Sequence, residues 1–248
     1  MTPYSREVLL NNRLDKDVQR ILFPFNFFLT MFLSSKYCIR DNYITPSKRK
    51  YYVFGLFGIC IITAANVHQM YGQIANMDLN KRGLLILIFL HVTQIFNFAL
   101  SIVLNIIDCH KNVLLIVIIQ AIHRSFDFSK SIRNLVFYSW MILLIGLCIN
   151  VYTIAYGYAI LQSWHILSFI HDVLMVVLDI DLIYKIRLLI LLTTYLNEWI
   201  KNICLKKDDW QQDQANCVNL FATYQNILKA YDVSNELSEI IVSYEVYL

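Results

Sequence analysis

Three carboxylates and two imidazoles stand where an apolar chain should carry none. Asp172, Asp179 and Asp181, with His165 and His171 close by, fall within or beside the run from Ile166 to Tyr184. A charge inside a bilayer costs several kcal/mol unless it is paired or hydrated, so each is a functional candidate by default. Asp172 and Asp179 are seven residues apart and share a helix face. Across a bundle Asp172 can meet His91 or Asn150, while Asp179 and Asp181 are near enough to the inner end to reach Lys185, Arg187 or water. Catalysis is a poor fit: there is no HExxH, no GxSxG and no glycine-rich phosphate loop. His165, His171 and Asp172 also lack the spacing of a closed metal site. The expectation is a protein that is not an enzyme, with no cofactor and no metal.

Two further faces are polar. In the block Gly83 to Ile107, His91, Gln94, Asn97, Ser101 and Asn105 recur at three- and four-residue spacing and avoid lipid together. Such a face either hydrogen-bonds to neighbouring helices, at typically under about 1 kcal/mol per pair, or walls a water-accessible ligand cavity. In the block Val136 to Leu161, Gly146, Asn150, Thr153 and Gly157 share a face, and Tyr152, Tyr156 and Tyr158 cluster toward the outer end. Close helix packing with an interfacial aromatic belt accounts for that pattern, as does an aromatic-lined pocket.

The elements that must hold these residues are membrane helices. Apolar residues make up 58% of the 248 and charged ones only 16%, against about a quarter charged in a soluble domain. The fold class expected is an all-α membrane protein of four transmembrane helices, at about 51–68, 83–107, 136–161 and 166–184, each able to cross a core of about 30 Å. Residues 1–50 form a cytosolic N-terminal segment with an interfacial helix, and 185–248 a cytosolic helical region that extends the fourth helix. Of the 21 Lys and Arg, all but Lys81 and Arg82 precede the first span, separate the second from the third, or follow the fourth. Both termini should therefore be cytosolic. The same placement accounts for the net charge of +3 through anionic lipid, with no need of nucleic acid. The six cysteines form no CxxC pair, so no disulfide framework is expected. The first twenty residues lack the apolar core of a secretory signal.

Shorter segments surround the spans. Val113 to Ile122 is too short to cross, and reads as a cytosolic continuation of the second helix or as a buried or interfacial helix. Ile21 to Leu33, interrupted by Pro24, should lie against the bilayer or pack on the bundle. Tyr37 to Lys50 reads as a linker, with Ser47 placed to cap the first span. After the fourth span, helix should run to about Cys204, break over Lys206 to Asp213, and resume from about Asn216 to Tyr231. The apolar face of that last segment, with Val218, Phe221, Ala222, Ile227, Leu228 and Tyr231, implies a partner helix in this chain or another. From Val233 onward the chain does not gather a fifth span.

The segment DIDLIYKIRLLILLTTYLNEWI, Asp179 to Ile200, with FIHDV at Phe169 to Val173 and YQNILKAYD at Tyr224 to Asp232, resembles insect gustatory receptors, most closely those of moths and butterflies. ILFPFNF at Ile21 to Phe27 and KYCIRDNYITPS at Lys36 to Ser47 are similar to the same group. The resemblance implies a subunit of a homo- or hetero-tetrameric, ligand-gated cation channel in the plasma membrane of a sensory neuron, binding a small-molecule tastant. It implies a tastant pocket among the outer halves of the early helices and an intracellular anchor where subunits meet. The polar faces read above then offer His91, Gln94, Asn97, Asn150, Tyr156 and Asp172 for ligand contact, and the last helical segment offers Phe221, Tyr224, Ile227, Leu228 and Tyr231 for subunit contact. The family's terminal TYxxxxxQF has no match, since Thr194-Tyr195 is followed after five residues by Lys201-Asn202. A partial or truncated chain lacking the pore helices, and not conducting alone, is expected. The alternatives are a short regulatory or dominant-negative assembly subunit and a membrane transporter using His171 and Asp172.

Overall fold

The computed structural model describes residues 12–76, 81–125, 129–161, 166–205 and 214–247. His165, in the turn 162–165, and the expected break at 206–213 lie outside them. Among the described residues the chain forms α1 (Lys16–Met31), a hairpin of β1 (Cys38–Arg40) and β2 (Tyr43–Thr45), α2 (Arg49–Asn76), α3 (Lys81–Ile107), α4 (Cys109–Arg124), α5 (Ser129–Leu161), α6 (Ile166–Leu205) and α7 (Gln214–Tyr247).

Three of these helices, α2, α3 and α5, are long and apolar enough to cross a membrane, which is compatible with an all-α membrane protein. The first exceeds its expected bounds of 51–68, because the apolar stretch of α2 runs from Arg49 to Ala75. The fourth expected span falls short of the same criterion: Asp172, Asp179 and Asp181 interrupt it. Large apolar side chains on these helices, among them Phe57, Leu85 and Ile149, face outward. Only 11% of the most apolar stretch of α5 is buried within the chain. A surface of that kind is stable against lipid rather than water.

The hydrophobic core gathers at one end of the bundle, where α1, the hairpin, α4 and α7 pack around the second half of α6. At 40 residues, α6 is about 60 Å long and belongs to both parts. The short apolar run is a buried helix. Val113, Leu115, Ile116, Ile118, Ile119 and Ile122 of α4 are all buried, against α7, α3 and α6. It follows α3 after a single break at Asp108, whose N–H still donates to Leu104 O at 2.8 Å and whose carbonyl accepts from Asn112 at 2.9 Å.

The N-terminal segment is anchored twice. Val18, Ile21, Leu22, Phe25 and Leu29 recur at helical spacing and bury one face of α1 on α5 and α6, while Phe23, Phe27 and Met31 stay exposed. The helix ends with Leu33 in the left-handed region (φ 64°), Ser34 N–H reaching back to Leu29 O at 2.8 Å. The expected linker contains the hairpin instead. Asp41 and Asn42, at φ 52° and 67°, make the two-residue turn that residues tolerant of positive φ allow. Ser47 does not cap α2, because its hydroxyl is buried and donates to Ser35 O at 3.2 Å.

The second anchor joins Asp15 to α4. Arg124 donates through Nε and Nη2 to the two carboxylate oxygens, each at 3.0 Å. Gln120 donates to the same carboxylate and accepts from the Asp15 N–H at 2.9 Å. The hydrogen-bonded Arg124 guanidinium holds the Asp15 carboxyl below its ordinary value, against the upward push of partial burial. A carboxyl depressed on folding stabilises the fold above its unfolded pKa of about 3.9 and loses that contribution as pH falls through the lower folded value. Asp15→Asn should therefore cost up to about 1 kcal/mol at neutral pH, the pair being partly exposed, and nothing once both states are protonated. Thermal unfolding across that range checks this; a deficit that persists at low pH would contradict it.

At the other end of the chain, α7 runs well past Tyr231. Thr223, Ile227, Ala230, Val233 and Ser234 are buried, and α7 packs on α4 and α6. Trp199 of α6 donates to Leu220 O at 2.8 Å and stacks on Tyr224 with ring centroids 4.7 Å apart.

Candidate functional site

At the end of the bundle away from α1, α4 and α7, the helices α2, α3, α5 and α6 enclose a cleft of about 820 Å³. The helices α2, α5 and α6 contribute side chains about one turn apart, as a ridge along one helix face requires, and α3 contributes one. From α2 come Gln69 and Gln73, from α3 Gln94, from α5 Asn150, Thr153 and Tyr158, and from α6 His171, Asp172, Met175 and Asp179.

Asp172 is the centre of the polar wall. Its Oδ2 accepts from the Tyr158 hydroxyl at 3.0 Å, and its Oδ1 lies 2.9 Å from His171 Nδ1. His171 is only 3% exposed, yet its Nε2 has no hydrogen-bond partner, and neither has the buried Gln69 Oε1 on the facing helix. Both atoms are closed off from the cleft surface, so each gains a partner there only if its side chain turns toward the cleft.

The residues singled out in the sequence divide three ways. Asp172, Asn150 and Gln94 line the cleft. His91 stands behind the wall, its ring between Asn66 Oδ1 at 2.7 Å and Gln73 Oε1 at 3.1 Å. Asn97 is half-buried outside the lining, and Tyr156 is exposed and stacked on Tyr152 at 6.0 Å. Asp172 meets Tyr158 and His171 rather than His91 or Asn150. Asn66, Gln69, Gln73 and Tyr158 are the additions. The first three repeat at three- and four-residue spacing along α2, the same signal as on α3, and lie largely past the expected end of the first span.

A second polar cluster ties the N-terminal segment to α6. Lys36 Nζ lies 2.7 Å from Asp181 Oδ1, and Lys185 Nζ 3.0 Å from Oδ2. Lys36 also donates to Asn105 Oδ1 at 2.9 Å and sits 5.5 Å over the Tyr184 ring. Asn105 in turn donates to Ser34 Oγ at 2.7 Å. Thus Asp181 does reach Lys185, whereas Arg187 turns to α5 and donates to Leu135 O and Ser139 Oγ at 3.2 and 3.1 Å.

Of the five residues expected at a subunit contact, Ile227 is buried in this chain and Tyr224 is stacked on Trp199, while Phe221, Leu228 and Tyr231 remain exposed. Comparison with protein-family models, curated proteins and solved structures finds no match to the chain.

Proposed function

We propose that this chain is a chemosensory receptor subunit of the insect gustatory type, a multi-pass protein of the plasma membrane of a sensory neuron. In this reading the first half of α6, about 166–184, is the fourth span, both termini are cytosolic, and the cleft opens on the outer side. The support for that topology is internal. Two of the three carboxylates of the fourth span are turned to partners, Asp172 to Tyr158 and Asp181 to two lysines, as burial in a bilayer demands, while Asp179 is exposed on the cleft.

The observation that carries the reading is the cleft itself, polar within an apolar bundle and lined by Gln69, Gln94, Asn150, His171, Asp172 and Asp179. A small tastant bound there acts on α6, which runs unbroken from the cleft to the inner cluster. Binding more tightly to the open state of a tetrameric cation channel, it shifts the equilibrium toward opening. Nothing in this scheme requires catalysis or a cofactor.

The test is co-expression with subunits of this receptor type and measurement of tastant-evoked current. Gln69→Leu removes one orphan acceptor at nearly constant volume, and should raise the half-maximal concentration by about tenfold, the worth of one hydrogen bond to a ligand. An unchanged dose response would sink the reading. A second reading, a regulatory assembly subunit, is favoured by the exposed Phe221, Leu228 and Tyr231, with Val218, along α7. Such a chain lowers its partners' current, and Gln69→Leu leaves that effect untouched.

A further inference from the structure

The groups left over in the cleft are of one kind. His171 Nδ1 lies against the Asp172 carboxylate and places its proton there. Gln69 Oε1 is an acceptor without a donor. A carboxylate has about four lone-pair positions, and Asp172 uses one on each oxygen, so capacity remains. Asp179 lies two helical turns further along α6, about 10 Å down its axis, and lines the same cleft. It has no ion-pair partner among the described residues. Among the described residues no lysine or arginine lines the cleft to offset the two carboxylates.

Such a surface selects by sign. An anion would face two carboxylates in a weakly polar medium, where like charges repel far more strongly than in water. A neutral polyol would supply donors but leave the carboxylates uncompensated. Apolar side chains share the lining, Ile154 on α5 and Met175, Val176 and Leu178 on α6, with Met175 between the two carboxylates along that helix. The geometry points to an amphipathic organic cation as the ligand: a protonated primary or secondary amine paired with Asp179 and drawn further by the charge of Asp172, on an apolar body seated against those apolar side chains. This rests on the receptor reading for the use of the cleft, but the class of ligand follows from the lining.

The full chain in lipid nanodiscs, titrated with tryptamine and with tryptophol, separates charge from shape, since the two differ in ammonium against hydroxyl. Tryptamine should bind saturably and about tenfold or more tighter than tryptophol, as an ion pair in a partly dehydrated site implies. Asp179→Asn alters no side-chain hydrogen bond or ion pair among the described residues, and should abolish that preference while leaving tryptophol binding as it was. Asp172→Asn should do the same, and Asp179→Asn keeps the test decisive should the Asp172 variant not fold. Equal binding of the two compounds, no binding of either, or an amine preference that survives Asp179→Asn overturns the assignment. Amine-selective binding without any evoked current leaves it standing and removes the receptor reading instead. Current evoked by a neutral tastant, with no amine binding, does the reverse.

Discussion

Lys36→Met should lower stability by about 3 kcal/mol, because it strips a buried carboxylate of its closest partner. The Lys36 and Asp181 side chains are 6% and 7% exposed, and their contact of 2.7 Å is the closer of the two ion pairs on that carboxylate. Removal also takes the donor from Asn105 Oδ1. Breaking a buried pair typically costs about 3–5 kcal/mol. Lys185 stays on the second oxygen, so the lower end of that range applies. For a chain of this size the loss corresponds to roughly 6–12 °C in Tm. Lys36→Met combined with Asp181→Leu should regain most of it, since an apolar pair of similar volume carries no desolvated charge. A Tm drop under about 2 °C for the single change would mean that the cluster is hydrated and contributes little.

That pair shows where reading the sequence stops. Lys36 and Asp181 lie far apart along the chain, and nothing in either neighbourhood announces the other. The cost of a carboxylate in an apolar run flagged Asp181, as it did Asp172, without naming a partner. Continuous apolar runs made α2, α3 and α5 legible, since length and composition alone decide whether a helix can cross. The run Val113 to Ile122 was ambiguous because periodicity says nothing of a helix buried on nearly every side. The hairpin had a signal, Asp41-Asn42 between short extended segments, but a three-residue strand is too short to stand out. The tyrosines were decidable by rotation. At about 100° per residue, Tyr156 lies roughly 240° round the helix from Asn150, whereas Tyr158 lies within about 80° of it. Helical geometry thus favours Tyr158 for the cleft and turns Tyr156 outward, as the structure has them.

Gly146→Leu should disable the cleft from below. A Cβ added at Gly146 would stand 2.9 Å from Ile183 Cδ1, the far end of a flexible side chain that can turn aside for a methyl but not for a larger group. A leucine forces the helices apart, at about 1–3 kcal/mol for overpacking. Asn150, Thr153 and Tyr158 lie one, two and three turns along the same helix, so the separation carries into the cleft. The 3.0 Å bond from Tyr158 to Asp172 is the first contact to suffer, being the bridge between these two helices at the cleft. Tryptamine affinity should then fall together with Tm. Gly146→Ala should be milder, and Ile183→Val should relieve it, because that change deletes the very methyl the new Cβ meets. Such rescue would be a coupling between the two positions, measurable as a double-mutant cycle. Additive losses at 146 and 183 would mean that the helix crossing yields elsewhere and does not set the geometry of the site.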